Sequence, residues 1–481
     1  MTSVDAIVIG SGPNGLAAAV TLARAGLSVT VYERASTIGG GARTAELTLP
    51  GFHHDVGSAV HPMALASPFF RAFGLQDRIE LVVPALSYAQ PLDGGRAALA
   101  WRDLDRTADE LGQDGPAWRR LFGPLVDHVD ELAEIASSTI LRVPRHPLVL
   151  GQLGLRILDQ GTVTWNSRFR QAAAPALLTG VIAHAIRALP SLSGAAAGLV
   201  LATHAHARGW PVPMGGSQAI TNALATDLKA HGGTIVTDTT ITSLSELPSA
   251  RVVLADTTPR ALLALAGEDV PDNYARALRR YRYGPGIAKI DFALDTAVPW
   301  SDNRLAEAGT LHLGGFRAET AGGEREVAQG RMPRSPYVLV AQPSPFDPTR
   351  APTGKHVLWA YTHVPHGSPV DRAQAVTAQI ERFAPGFQDI VLASTSASAM
   401  DVQISNPNYI GGDISAGEVS LPQLLRRPTF WEPWRTPMPG IYLCSAATSP
   451  GPGVHGQSGW NAARSALRHE FGITAAPDLA P

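Results

Sequence analysis

Three glycines near the start of the chain have the spacing of a site that binds the phosphates of a dinucleotide. They lie in the run Gly10-Ser11-Gly12-Pro13-Asn14-Gly15, which is a G-x-G-x-x-G pattern. The first glycine permits a tight turn, the second lets the backbone approach a diphosphate, and the third lets a helix pack closely on a strand. Backbone N–H groups at the start of that helix attract phosphate charge. An acid that accepts hydrogen bonds from a ribose is expected about 20 residues further on. Glu33 lies close to that position.

A second glycine pattern lies near the other end of the sequence. Gly451, Gly453 and Gly456 also satisfy G-x-G-x-x-G. We do not expect a second dinucleotide site for NAD(P) here, because no strand–helix–strand continuation and no ribose-binding acid can follow so near residue 481. The pattern instead predicts a loop and helix start whose N–H groups stabilise negative charge on a bound group.

Short elements with clear patterns surround both glycine motifs. The pattern predicts a buried parallel strand over Asp5–Ile9, a helix over Leu16–Ala25 and a second strand over Ser28–Tyr32. Around the second motif, Gly440–Cys444 predicts a strand and Trp460–Phe471 a helix. A strand–helix–strand unit that carries the glycines and the acid in these places predicts an α/β dinucleotide-binding domain.

The middle of the chain alternates between helical and strand-like patterns. Ser217 is the expected N-cap of a helix over Gln218–Ala230, and Arg251–Ala255 predicts a strand. The other predicted elements are helices over Ala117–Ile140 and Phe169–Ala188, and strands over Thr234–Thr242, Gly286–Leu294, Tyr337–Gln342 and Val357–Thr362.

Composition and charge exclude several classes of protein. The chain has 39 basic and 41 acidic residues and a net charge of −2, without the basic excess expected of a nucleic-acid-binding protein. The single cysteine, Cys444, excludes an internal disulfide and a disulfide reductase, predicts a small core residue, and fits a cytoplasmic location. No segment has the pattern of a signal peptide or a membrane span, but an amphipathic segment on a membrane surface stays open.

The residues after Glu33 resemble the FAD fingerprint of the glutathione-reductase-like fold. In that fingerprint, a pair of glycines follows the acid and carries the chain toward the flavin ring. Here Arg34 follows the acid, and then comes the run Gly39-Gly40-Gly41-Ala42-Arg43-Thr44. Many relatives have an arginine directly after the glycine pair, where this chain has Gly41, so we expect Arg43 to supply the phosphate contact. The resemblance implies that the cofactor is FAD.

The C-terminal segment resembles a second family motif. Gly440–Ala463 is similar to the C-terminal FAD motif of phytoene-desaturase-related flavoproteins, and most similar to their pyridine nucleotide-disulfide oxidoreductase domain 2-like branch. Relatives often have glycine where Ser445 stands and histidine where Ser449 stands. The order of the motifs recurs over almost the whole chain. The resemblance implies further cofactor-binding residues, namely Gly57, Ser58, Ile241, Ala255, Gly453, Val454, His455 and Gly456.

The same resemblance implies the domain organisation. The fold class is α/β, with a discontinuous, glutathione-reductase-like Rossmann domain that binds FAD. This domain is expected over residues 1–75, 205–270 and 430–481. Residues 76–204 and 271–429 are expected to form an α+β substrate domain of the amine-oxidase/phytoene-desaturase type.

Few side chains are candidates for acid–base chemistry. His61 follows a segment that runs near the flavin ring in relatives, and His455 lies in the C-terminal loop, so both are candidate catalytic residues. Each could instead be an ordinary hydrogen-bonded loop residue. A lysine near the flavin acts through water in amine-oxidase relatives, but a salt bridge is the simpler interpretation of Lys289. Aromatic candidates for the pocket wall are Tyr281, Tyr283, Tyr361, Tyr409 and Trp431.

No metal site is expected from the adjacent polar residues His53, His54 and Asp55. Neighbouring side chains on a strand point to opposite faces, so these three groups cannot converge on one ion. No further ligand has a spacing typical of a metal site.

The expected function is dehydrogenation of an apolar or mixed-polarity organic small molecule by an FAD-dependent oxidoreductase. The substrate would transfer a hydride to flavin N5, and O₂ or a quinone would reoxidise the flavin. A protein base is optional, because hydride leaves an amine without one, whereas proton abstraction next to a carbonyl needs one. Three alternatives stay open: a double-bond isomerase without net redox chemistry, an amine oxidase with an aromatic cage, and a flavoprotein that binds without turnover.

Overall fold

The structure is a computed structural model that describes residues 4–139 and 143–481. The strands are β1 Val4–Ile9, β2 Val29–Tyr32, β3 Thr44–Glu46, β4 His53–Asp55, β5 Leu81–Val82, β6 Leu86–Leu92, β7 Arg96–Trp101, β8 Val212–Pro213, β9 Thr234–Val236, β10 Ala250–Ala255, β11 Gly286–Leu294, β12 Thr310–Leu313, β13 Val338–Ala341, β14 His356–Val364, β15 Val391–Ala397 and β16 Ile441–Leu443. The helices are α1 Pro13–Arg24, α2 Pro68–Ala72, α3 Leu75–Arg78, α4 Leu104–Glu110, α5 Gly115–Val126, α6 Val129–Ala136, α7 Pro147–Gly161, α8 Ala173–Ile182, α9 Leu192–Ala207, α10 Gln218–Ala230, α11 Pro259–Ala266, α12 Asp272–Arg279, α13 Arg317–Ala328, α14 Ala373–Phe383, α15 Ala399–Ser405, α16 Leu421–Leu425 and α17 Gln457–Glu470.

A five-stranded parallel sheet combines strands from three separate parts of the sequence. Its order is β16-β10-β1-β2-β9, so the first and last described strands belong to one sheet. In this register Ile9 pairs with both Tyr32 and Ala255, and Ala255 pairs with Leu443. The carboxyl ends of these strands therefore lie at one edge of the sheet, where ligands bind in open α/β folds.

A seven-stranded mixed sheet forms the second layer of the molecule. Its order is β15-β11-β14-β13-β12-β6-β7, with β12 parallel to β6 and the other pairings antiparallel. Side chains of α5, α8 and α9 share one apolar core cluster with this sheet. Its strands fall in residues 76–204 and 271–429, and those of the parallel sheet fall in the other three ranges. This distribution supports the proposed division into two domains.

Two predicted helices are shorter than their sequence patterns suggest. The predicted helix over Ala117–Ile140 is two helices, α5 and α6, and Ile140 lies outside the described residues. Pro124 near the end of α5 lacks the N–H of a helical hydrogen bond. The helix predicted from Phe169 begins only at Ala173, because the Asp114 carboxylate accepts the backbone N–H groups of the segment just before it.

The strand predicted over Thr234–Thr242 ends at Val236. The chain leaves the sheet there because Asp238 has a left-handed backbone with φ of 53°. The N–H group of Thr239 then donates to the carbonyl of Glu33 at 2.9 Å. The turn carries the following residues, Ile241 included, from the sheet edge onto the wall of the cavity described below.

Candidate functional site

A cavity of about 1510 Å³ extends from the carboxyl edge of the parallel sheet to the seven-stranded sheet. At one end Ile9 and Tyr32 line it, and at the other Lys289 and Trp359 line it. Typical small-molecule pockets have about 300–1,000 Å³. The cavity is therefore large enough for a cofactor and a second small molecule.

The first glycine motif forms one end of this cavity. Gly10 has a φ of 101°, which favours glycine, and Gly12 is the N-cap of α1. Gly12 has no side chain that could cap the helix, and the first turn of α1 itself contains no acid. The N–H of Gly15 donates to Asp256, and the remaining unsatisfied N–H groups of the helix start are suitable for phosphate. The geometry therefore fits the diphosphate of a dinucleotide.

Polar side chains beside the motif are arranged to complement a nucleotide. Glu33 Oε2 accepts hydrogen bonds from the backbone N and the Oγ of Ser11 at 2.9 and 2.7 Å. Arg34 and Arg43 also line the cavity, and neither guanidinium pairs with a carboxylate of a described residue. Arg43 Nε donates to the carbonyl of Gly40 at 2.9 Å. Two positive charges without a carboxylate partner face the space where a diphosphate is expected.

Most of the predicted cofactor residues line the cavity, but six lie behind its wall. Gly15 supports the turn, since a Cβ atom there would overlap the carbonyl of Gly10. Thr44 Oγ1 donates to Asp55 at 2.9 Å, and Ala255 is fully buried in β10. Ser11, Gly39 and Gly456 are the other three. The predicted residues that line the cavity are Gly10, Gly12, Pro13, Asn14, Glu33, Arg34, Gly40, Gly41, Arg43, Gly57, Ser58, Ile241, Gly453, Val454 and His455.

The second glycine motif reaches the same cavity, because α17 packs directly on α1. A Cβ atom at Gly459 would overlap the carbonyl oxygen of Asn14, so the two backbones are in contact. Gly456 has a φ of 65° and is the N-cap of α17. In the part of the chain that the structure describes, no strand follows α17, so the motif belongs to no second strand–helix–strand unit.

His455 holds the C-terminal loop through both of its ring nitrogens. Nε2 lies 3.0 Å from the carbonyl of Gly451, and Nδ1 accepts the N–H of Gln457 at 3.0 Å. Burial lowers the pKa of His455 to about 4, so the ring is neutral. Both ring nitrogens are therefore engaged in hydrogen bonds, and neither is available for proton transfer to a substrate. This geometry favours a structural role over the predicted catalytic one.

His61 lines the cavity, but its one ring nitrogen without a partner among the described residues is buried. Ser217 Oγ donates to the carbonyl of Ser58 at 2.5 Å, so it accepts from His61 Nε2 at 2.8 Å. Nδ1 is then an unprotonated acceptor, and no described residue bonds to it. Burial lowers the pKa of His61 to about 4. Ser217 is the N-cap residue of α10, as predicted, but its hydroxyl makes these two contacts and does not cap the helix.

A buried ion pair on β11 lines the opposite part of the cavity. Lys289 and Asp291 are two residues apart, so they share one face of the strand, and Lys289 Nζ donates to Asp291. Burial lowers the pKa of Lys289 and raises that of Asp291, while their pairing opposes both shifts. The sequence analysis did not assign Asp291, although its spacing from a lysine within an apolar strand was a usable signal.

Asp256 is a second acid that the sequence analysis did not assign. It follows β10 at the carboxyl edge, and its Oδ2 accepts the N–H of Gly15 at 2.9 Å. Burial raises the pKa of Asp256 to about 7. Its position directly after a parallel strand could have indicated it, because ligands bind at the carboxyl ends of such strands.

The predicted aromatic wall is only partly correct. Tyr361 and Tyr409 line the cavity, whereas Tyr281 and Tyr283 do not. Trp431 faces solvent instead, with 78% of the residue exposed. Aromatic residues that line the cavity but were missed are Tyr32, Trp210 and Trp359.

Two smaller predictions concern Cys444 and metal binding. Cys444 is fully buried beside β16, which confirms it as a core residue. Within residues 4–139 and 143–481, no group of three or more histidine, cysteine or acidic side chains is placed to hold a metal ion.

Comparisons with known proteins agree with this site. Residues 14–467 match the model of the family described as flavin containing amine oxidoreductase. A pyridine nucleotide-disulfide oxidoreductase domain-containing protein 2 from Rattus norvegicus is 27% identical, with 96% of this chain and 93% of the relative aligned. A phytoene dehydrogenase from Streptomyces griseus is also 27% identical, over 75% of this chain and 73% of the relative.

Solved structures share the fold at low sequence identity. Cyclohexylamine oxidase from Brevibacterium oxydans covers 98% of this chain and 100% of its own, with a TM-score of 0.59 and 17% identity. A putrescine oxidase with putrescine bound has a TM-score of 0.55 at 17% identity, with 97% of this chain and 98% of its own covered. The family model matches nearly the whole chain, and the two glycine motifs meet at one cavity. The chain therefore belongs to the flavin containing amine oxidoreductase family and is an FAD-dependent oxidoreductase.

Proposed function

We propose that the enzyme dehydrogenates an apolar or mixed-polarity organic molecule, with O₂ or a quinone as the electron acceptor. The observation that carries this proposal is the wall of the cavity beyond the glycine motifs. That wall is mainly aliphatic and aromatic, and Lys289 and Asp291 form its buried ion pair. A wall of this kind favours apolar substrate surface and fixes orientation through a few polar groups.

The two ends of the chain would hold the cofactor between them. The N-terminus of α1 and Arg43 would contact the diphosphate, Glu33 the ribose, and the Gly453–His455 segment the ring. When bound, FAD would supply the redox chemistry as the acceptor of the substrate's hydride. The protein itself would orient the substrate and exclude water.

The neutral and paired groups of the cavity suit these roles. His61 lines the cavity as a neutral ring, so it adds no charge to the wall that a substrate would contact. Lys289 can donate to a polar substrate atom while Asp291 keeps its position. Apolar side chains around them keep water away, which strengthens each of these interactions.

An amine oxidase is the second candidate function. Trp359 and Tyr361 line the cavity near Lys289, with ring centroids 5.2 Å apart and planes at 89°. Aromatic faces attract a cationic amine. Relatives named for both kinds of substrate occur, since phytoene dehydrogenase is one sequence relative and cyclohexylamine oxidase is one structural neighbour.

A substrate panel under anaerobic conditions tests the proposal. Purified holoenzyme is mixed with apolar polyenes, long-chain alcohols or primary amines, and flavin absorbance is followed. Bleaching by apolar compounds, with recovery on adding O₂ or a quinone, supports the first function, and bleaching by amines alone supports the second. Conversion of a polyene without bleaching and without acceptor consumption would indicate an isomerase. A flavin that no compound reduces would indicate a binding protein.

A further inference from the structure

We propose that the exposed face of helix α7 docks on an anionic lipid bilayer, with the cavity opening toward that surface. We call this surface the α7 face, and it consists of Pro147, Leu148, Leu150, Gly151, Leu155 and Leu158. The inference concerns where the protein binds, so it goes beyond the function proposed above.

The α7 face is apolar at every exposed position of the helix. Leu148 is 80% exposed, Leu155 is 70% exposed and Leu158 is 53% exposed. The opposite side of the same helix buries Val149 and Leu153 in the protein. A helix on a protein surface normally presents charged or polar residues to water. A helix that is apolar on both sides indicates that its outer face has a second apolar environment.

The same helix forms part of the cavity wall. Leu150 and Leu158 belong to the α7 face and also line the cavity. On α16, Leu421 is likewise both exposed and part of the cavity lining. Exposed apolar surface and cavity wall are therefore continuous at this place. A bilayer on the α7 face would place the apolar entrance against lipid, from which an apolar molecule could enter without crossing water.

Charge along the segment that carries the α7 face favours an anionic membrane over an uncharged protein surface, although Glu134 of the neighbouring helix α6 lies 3.3 Å from His146. Residues 143–171 contain four arginines and one acid, although the whole chain has a net charge of −2. The acid, Asp159, pairs with Arg168 at 2.5 Å. Arg145 and Arg170 are exposed, and Arg145 also lines the cavity. Basic residues beside exposed leucines are the composition of a segment that lies at a lipid surface.

This contact would be peripheral. Among the described residues, no helix is long and apolar enough to cross a membrane. Leu148 and Leu155 lie two helical turns apart, so both enter the interface from one face of the helix.

Vesicle flotation tests the docking surface with the holoenzyme. Vesicles of phosphatidylcholine are compared with vesicles that also contain phosphatidylglycerol. We expect the protein to float with the anionic vesicles and to be partly released by high salt. The double substitution Leu148→Glu/Leu155→Glu should weaken vesicle binding by at least about tenfold, because it removes both leucines and adds negative charge.

The matched control is Val370→Glu/Leu392→Glu, which adds the same charge at two other residues that are each 46% exposed. Flavin absorbance and the unfolding midpoint verify that both variants are folded. Equal loss in both variants, or no flotation of the wild-type protein, would overturn the proposal. It would also fail if light scattering showed a dimer that the α7 variant converts to a monomer. Vesicle binding requires no turnover, so this outcome is independent of the proposed function, whereas substrate entry from lipid rests on it.

Discussion

Asp256 and Glu33 show how single acids shape the nucleotide end of the cavity. Asp256 is held under the glycine turn by the N–H of Gly15, and burial raises its pKa to about 7. Glu33 is tied to Ser11 and to the N–H of Ala35 at 2.9 Å, which fixes its carboxylate at the end of β2. The two acids therefore have different roles, because Asp256 supports the backbone turn and Glu33 is positioned to meet a ligand.

Replacing Glu33 tests its predicted contact with the ribose. Glu33→Ala removes the acceptor for the ribose hydroxyls and frees Ser11, so the purified variant should contain less FAD than the wild-type protein. The ratio of flavin to protein absorbance measures this loss, with the exposed acid variant Glu307→Ala as the control. Full FAD occupancy in Glu33→Ala would contradict the assigned role.

Breaking the ion pair on β11 should destabilise the protein strongly. Lys289→Met leaves Asp291 buried without its partner. Asp291→Leu likewise leaves Lys289 buried without its partner. Each single substitution should lower the free energy of unfolding by about 3–5 kcal/mol. The double variant should lose less than the sum of the two, as measured by denaturant unfolding. Additive losses would indicate that the two groups do not interact.

At the scale of elements, local patterns were predictable and distant pairings were not. Both glycine motifs, with their strands and helices, were visible because each depends on a few consecutive residues. The buried ion pair between Arg350 and Asp55 joins residues that are distant in the chain, and nothing in either local pattern indicates it. The end of β9 was missed because it depends on one left-handed residue, Asp238. The sequence predicts a catalytic role for His455 because nothing in the local pattern indicates its two backbone partners. Those partners are brought to the ring only when the loop folds.

The contact between α1 and α17 can be tested with a matched pair of glycine substitutions. Gly459→Ala places a methyl group against the carbonyl of Asn14, so it should separate the helices, lower stability and reduce FAD content. Gly322→Ala in α13 has no neighbouring atom within 4 Å of the new Cβ atom. That control should instead gain about 0.5–1 kcal/mol from helix propensity. Equal thermal midpoints for the two variants would refute the close contact.

The whole molecule buries many histidines in their neutral form. Burial lowers the pKa of His54 and His184 to about 3, and that of four others to about 4, namely His61, His204, His206 and His455. An unfolded chain has ordinary histidines with a pKa of about 6.5. The unfolded state therefore binds more protons than the folded state between about pH 4 and 6.5.

Stability should consequently fall as the pH is lowered through that window. Because the folded-state pKa values are depressed, the stabilisation is fully present above about pH 6.5 and declines toward pH 4, by up to about 1.4 kcal/mol per histidine and pH unit. Thermal midpoints measured from pH 7.5 downward check this. His204→Leu should flatten the profile, since neither nitrogen of this ring has a partner among the described residues. A profile that is flat between pH 7 and 5 would contradict these pKa shifts.

The distribution of the parallel sheet along the chain has a consequence for biosynthesis. On the ribosome, β1 and α1 emerge first, whereas β16 and α17 emerge only after both segments of the seven-stranded layer. The nascent chain therefore exposes the apolar surface of α1 that α17 will cover, which makes it a substrate for chaperones for most of translation. A truncated product that lacks α17 leaves one side of the flavin pocket unbuilt, so stable retention of the cofactor reports that synthesis has passed residue 470.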